Sequence, residues 1–267
     1  VKAYRAAGIS PMLKHFGPHG EPVGGLNLAS VQCGPRDVLS VFLRPFETVV
    51  REGDALAVMS SYNSWNHEPN SSSHWMMTEL LRDTWGFKGY VYSDWGAIDM
   101  LHYFHHTAAD AQEAATQALS AGLDVEASGD AYLKLKDLVV SGRFDIALID
   151  RAVRRVLYAK MASGMFDDNR PLPDYDASVH TPQHIALARR LAEESAVLLK
   201  NEDHLLPLSL ESLRSVALIG PNADRVQFGD YTWSRSNADG VTLRQALEAR
   251  CGKQVAVRYA QGCDLVS

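Results

Sequence analysis

The chain has 267 residues, of which 46% are hydrophobic and 22% charged, and a formal net charge of −6. That length can bury a substantial core, in one large domain or two smaller ones. The acidic balance offers no basic face for nucleic acid or an anionic membrane, and no apolar run approaches the length of a membrane span.

Three cysteines, Cys33, Cys251 and Cys263, have neither the spacing of a zinc site nor the even number of a disulfide framework, so free thiols are expected. The chain opens on Val1 without a signal peptide and stops just after a strand-like run, which reads as a segment of a longer protein.

In chain order, strand-like and helix-like stretches alternate. Met12-Leu-Lys-His-Phe16 is the first expected strand, followed by a Gly/Pro-rich loop to Gly25. Val38, Leu39, Phe42, Phe46, Val49 and Val50 recur at helical spacing, with Pro45 expected to split the stretch. Ala55 to Met59 is the second expected strand. Ser73 then caps an expected helix whose Met76, Met77, Leu80 and Leu81 share one face. Tyr90 to Tyr92, between Gly89 and Gly96, reads as a buried strand carrying Asp94 at its C-terminal edge. Asp110 and Glu113 open a further helix, Leu123-Asp-Val125 is the fourth expected strand, and helices follow over 132–140 and 146–161.

Strands alternating with helices imply parallel βαβ units, in a doubly wound sheet or a barrel. In barrels the active site lies on loops at the C-terminal strand ends. Here those ends carry Lys14 and His15, Met59 to Tyr62, and Asp94 with Trp95. A closed barrel needs eight strands, so this pattern supplies half of one. From Phe166 to Thr181 the texture turns polar and proline-containing, as in a linker. Beyond it come an expected helix from Pro182 to about Ala192, strands at Ala196 to Leu199 and Val216 to Ile219, and a final pair, helix 243–250 and strand 255–259.

With these residues in view, the chain resembles glycoside hydrolase family 3, the β-glucosidase and β-xylosidase group. The resemblance rests on motifs in a fixed order: Leu13-Lys-His-Phe16, Glu21-Pro-Val-Gly-Gly-Leu-Asn27, Leu43-Arg-Pro-Phe-Glu47, Val58-Met-Ser-Ser-Tyr-Asn63, Leu80-Leu-Arg-Asp-Thr-Trp-Gly-Phe87 and Ser93-Asp-Trp95. Ala121-Gly-Leu-Asp-Val-Glu126, Val197-Leu-Leu-Lys-Asn201 and Ile219-Gly-Pro-Asn-Ala-Asp224 continue it. It implies the C-terminal half of a (β/α)8-like (TIM) barrel over residues 1–165, a linker over 166–181, and the beginning of an α/β sandwich over 182–267. It also implies a retaining, exo-acting β-glycosidase acting on β-glucosides, cello-oligosaccharides or xylo-oligosaccharides, without metal or cofactor.

The resemblance makes Asp94 the nucleophile and puts the acid/base, a glutamate, outside this chain. Retention requires two carboxyl groups about 5–5.5 Å apart, one attacking the anomeric carbon and one protonating the leaving oxygen. Lys14 and His15 would donate to hydroxyls of the terminal sugar, and Tyr62 would sit near the charge that develops in the transition state. Met59 reads equally as an apolar wall under the sugar and as core; Trp95 offers a flat face for sugar or aglycone. His102, His105 and His106 have metal-like spacing but no accompanying carboxylate pattern. His19 bears on the N-acetylglucosaminidase branch, whose loop Asp-Ser-His motif this chain replaces by Glu21-Pro-Val-Gly-Gly25, as the glucosidase and xylosidase branch does. Two competing readings are a non-catalytic carbohydrate-binding fragment and a phosphate-binding barrel, the latter weakened by the lack of a Gly-rich loop after the late strands.

Overall fold

The computed structural model describes residues 1–167 and 174–265. The chain divides into two compact units, Val1–Arg170 and Pro171–Ser267. In the first, strands β1 (Met12–Phe16), β2 (Ala57–Ser60), β5 (Tyr90–Trp95) and β6 (Val125–Ala127) form one sheet in the order β1-β2-β5-β6, every pair parallel. A small antiparallel pair, β3 (Ser64–Trp65) and β4 (Glu68–Pro69), lies in the loop after β2. Parallel neighbours need crossover connections, and helices supply them. The sheet places the C-terminal ends of four strands along one edge.

The core is built from strand residues Phe16, Val58 and Val91 with Met76, Met77 and Leu81 of the helix Trp75–Thr84, and with Ala114, Ala115 and Ala118 of the helix Ala111–Ala121. The expected apolar face of the first of these helices is buried, but the helix is π-helical, with bonds such as Trp85 N–H to the Leu80 carbonyl at 3.0 Å. Asp110 caps the alanine-rich helix by accepting from the Glu113 N–H at 2.9 Å, and Gly122 closes it with φ 113°.

Several boundaries differ from the sequence expectation: the second strand is Ala57–Ser60 rather than Ala55 to Met59, and the third runs on to Trp95. The 38–50 stretch breaks at Leu43 rather than at Pro45, because Pro45 fits the first turn of the helix Arg44–Glu52, where its missing N–H costs nothing. The fourth strand begins at Val125, two residues late, because the backbone and carboxylate of Asp124 both bond to Val91 before pairing starts.

The second unit is a βαβ arrangement of its own. Strands β7 (Ser215–Ile219) and β8 (Ala256–Ala260) pair in parallel, joined through the helix Leu243–Cys251, which Thr242 and Gln245 start with a reciprocal capping box. The helix Pro182–Ser195 runs about one turn beyond expectation. Of the 166–181 stretch, residues 168–173 lie outside the described residues, and Tyr175–Ser178 forms a short helix. The strand expected at Ala196 to Leu199 does not form. Val197, Leu198 and Leu199 are 77%, 63% and 91% exposed, since apolar content makes a strand only where a ladder partner exists. All three cysteines are free, and no described helix is long and apolar enough to cross a membrane.

Candidate active site

Two irregularities in the sheet fall on the residues that the sequence singles out. Along β1, Leu13 pairs with Val58 and Phe16 with Ser60, so three steps on β1 match two on β2, and the extra residue lies within Lys14–His15. Along β5, Tyr92 pairs with Val125 and Trp95 with Ala127, which puts a second extra residue within Ser93–Asp94. Such bulges unpair a residue and re-aim its side chain, which simple strand alternation would not allow. The Lys14–His15 peptide is cis.

The result is a contact between the two strands' ends. His15 Nε2 lies 3.3 Å from Asp94 Oδ2, while the other oxygen, Oδ1, accepts the Trp95 N–H at 2.7 Å. Asp94 is 8% exposed, and Ser93, fully buried, accepts the Ala127 N–H at 2.8 Å and donates to the Asp94 carbonyl at 2.9 Å. Ser93 therefore ties the bulge in β5 to β6. Burial pushes the His15 pKa down; Asp94 opposes that shift, while His19 and Lys14 add to it. The neutral imidazole is favoured, and the adjacent carboxylate, which can only accept, favours the proton on Nε2.

Above His15 stands His19, its ring centroid 4.6 Å away. Its Nδ1 is 2.5 Å from Asn63 Oδ1, and the buried Asn63 amide donates from Nδ2 to the Asn27 and Ala29 carbonyls at 2.9 and 2.7 Å. One side chain after β2 thus pins the loop after β1 at three points. Gly17 makes the entry to that loop possible. At φ 131° a Cβ there would come within 2.4 Å of Asn70 Nδ2 and 2.8 Å of Ser61 Oγ.

The remaining residues expected at the site are distributed as follows. Lys14 is the exposed residue of β1, and Met59, opposite Tyr92 in register, is half-buried. Tyr62 is half-buried in the loop after β2, its carbonyl bonded by His105 Nε2 at 2.9 Å. Trp95 is 64% exposed, so the ring faces solvent rather than core. His102 Nδ1 contacts the Ala108 carbonyl at 3.1 Å, which gives His102 and His105 backbone partners rather than a shared ligand. Glu126 accepts from the Ala131 and Tyr132 N–H groups, and burial raises its pKa.

Sequence reading overlooked three residues here: Ser93, Asn63 and, as part of this cluster, His19. Asn63 closes the Val58–Asn63 motif, yet its buried position and its partners 34 to 44 residues earlier appear only in the fold. An apolar cavity of about 320 Å3 among Leu119, Leu135, Ala152 and Leu157 includes neither Asp94 nor His15 in its lining.

Residues 1–159 match the description Glycosyl hydrolase family 3 N terminal domain, and residues 196–266 match Glycosyl hydrolase family 3 C-terminal domain. The chain belongs to glycosyl hydrolase family 3. A periplasmic β-glucosidase of Salmonella typhimurium is 33% identical over 97% of this chain and 34% of its own length. A β-xylosidase of Formosa agariphila is 32% identical over 95% of this chain and 37% of its own. Among solved structures, a β-glucosidase from Erythrobacter marinus superposes with TM-score 0.85 at 36% identity, covering 96% of this chain and 34% of that one. The chain therefore spans about a third of the length of these relatives.

Proposed function

We propose that this family 3 chain contributes the nucleophile side of the active site of a retaining, exo-acting β-glycosidase whose substrates are β-glucosides. The observation that supports the reading is Asp94, held at a bulged strand end with Oδ1 on the Trp95 N–H and Oδ2 beside His15. In this mechanism Asp94 Oδ2 attacks the anomeric carbon of the terminal sugar. The bond to the leaving oxygen breaks as that oxygen takes a proton from a general acid, a glutamate outside residues 1–267. Water then attacks the anomeric carbon of the glycosyl ester, giving its proton to the same glutamate, and the bond to Asp94 breaks to regenerate its carboxylate. Rigid placement of the carboxylate on a strand keeps the reacting atoms within attack distance.

Lys14 and His15 bind hydroxyls of the terminal sugar, and the Tyr62 hydroxyl lies near the developing positive charge. Met59 forms an apolar wall, and the exposed Trp95 ring is a flat face for the sugar or aglycone. In the same reading the parallel sheet belongs to the second half of a (β/α)8-like barrel over 1–165. The residues from 182 begin an α/β sandwich beyond the linker 166–181.

A β-xylosidase activity is the second reading, because the Formosa agariphila relative matches nearly as much of the chain as the glucosidase does. Both readings are tested on the full-length gene product with 4-nitrophenyl β-glucoside and β-xyloside. Asp94→Asn is expected to reduce turnover on the order of 10^4-fold while leaving the unfolding transition in place. Near-wild-type hydrolysis by that variant would remove Asp94 from the mechanism, and the ratio of the two rates selects the sugar.

A further inference from the structure

We propose that His19 is a second sugar-binding histidine of this site, presenting Nε2 as a hydrogen-bond acceptor to one hydroxyl of the sugar bound at Asp94. The proposal rests on the glycosidase reading and starts from Asn63. Both hydrogens of the Asn63 amide nitrogen are used, on the Asn27 and Ala29 carbonyls. That settles which way the amide faces, since a flipped amide would set its oxygen against two carbonyl oxygens. The atom facing His19 Nδ1 is therefore an oxygen, which only accepts. Nδ1 must carry a hydrogen, and in the neutral ring Nε2 is left with a lone pair.

That nitrogen has no hydrogen-bond partner among the described residues. It belongs to a ring packed 4.6 Å from His15, whose own Nε2 reaches Asp94. The two histidines are thus complementary. The His15 Nε2 hydrogen faces the Asp94 carboxylate, and the neutral His19 ring offers a lone pair on the loop next to it. A sugar hydroxyl that donates to that lone pair is read by His19 alone. Three Asn63 bonds hold the loop in place before substrate arrives, which lowers the ordering cost of binding.

The test measures kcat/KM of the full-length gene product on 4-nitrophenyl β-glucoside and its 2-, 3-, 4- and 6-deoxy analogues, for wild type, Asp94→Asn, His19→Asn and His19→Phe. His19→Asn keeps a donor for Asn63 Oδ1 but loses the Nε2 acceptor; His19→Phe keeps the ring against His15. Both His19 variants are expected to lose about ten-fold on the parent glucoside. Neither should lose more than about two-fold relative to wild type on the single analogue lacking the hydroxyl that His19 reads. Equal losses on every analogue would make His19 a brace for His15 and overturn the proposal, as would no loss on any. Asp94→Asn separates the two layers. If it alone abolishes turnover while the His19 variants match wild type, the glycosidase reading stands and the His19 role falls. If Asp94→Asn retains full turnover, both fall.

Discussion

The two units use the same βαβ connection and reach opposite degrees of burial. In the first, Val58 and Val91 of adjacent parallel strands are fully buried. In the second, Leu218 is the one residue of β7 classed as buried, while Ile219 is 71% exposed. Parallel sheets are stable when both faces are covered. Four strands with helices packed against them bury Val58 and Val91 completely; the two-stranded sheet with one packed helix leaves Ala217, Ile219, Ala256 and Ala260 exposed. The difference explains where a precise site can be held. The bulges that turn His15 and Asp94 toward each other lie in the unit whose sheet is clamped from behind.

The strongest way to break that clamp is Asp124. Its carboxylate is 1% exposed and accepts from Arg82 at 2.6 Å, Arg155 at 2.8 Å and the Val91 N–H at 2.9 Å. Burial brings Arg82 down to about 10, still protonated at neutral pH. Asp124→Ala leaves that buried cation unpaired and is expected to cost about 3–5 kcal/mol by urea unfolding of the full-length product. Leu81→Ala, at a fully buried position, is expected to cost about 2–5 kcal/mol in the same measurement. Its counterpart in the second unit, Leu199→Ala at 91% exposure, should stay within about 0.5 kcal/mol when residues 1–267 themselves are unfolded in urea. A large loss at Leu199 would show that its apolar surface is covered in solution and would erase the contrast between the units.

A smaller effect follows from His15 and His105, whose pKa values burial lowers from 6.5. The unfolded chain binds their protons first, so their contribution is fully present above about pH 6.5 and is lost as pH falls from there through the lower folded-state values. Urea midpoints measured across this window should fall with acidification. The double variant His15→Gln, His105→Gln should flatten the slope, and an unchanged slope would mean that neither ring is held neutral by the fold.

Much of the architecture was legible along the chain because periodicity and punctuation agreed. The β5 region was marked by Gly89, a β-branched and aromatic run, and Gly96. Gly89 itself has a tertiary reason, since a Cβ there would lie 2.1 Å from the Leu56 carbonyl oxygen, just before the neighbouring strand β2. The expected strand at Ala196 to Leu199 failed for the complementary reason: composition can favour extension, but only a neighbouring strand satisfies its backbone.

The sequence by itself determined the four parallel strands of the first unit and the helices between them, the placement of Lys14, His15, Met59, Tyr62, Asp94 and Trp95 in or just beyond those strands, and the motifs that mark the family. Those features are local, set by side-chain spacing, caps and glycines. Only the tertiary structure decided that His15 meets Asp94, that Ser93 anchors the bulge, and that Asn63 fixes the His19 tautomer. Each depends on register between strands, and one extra residue in β1 or β5 changes which side chains meet without leaving a mark on the pattern of either strand read alone.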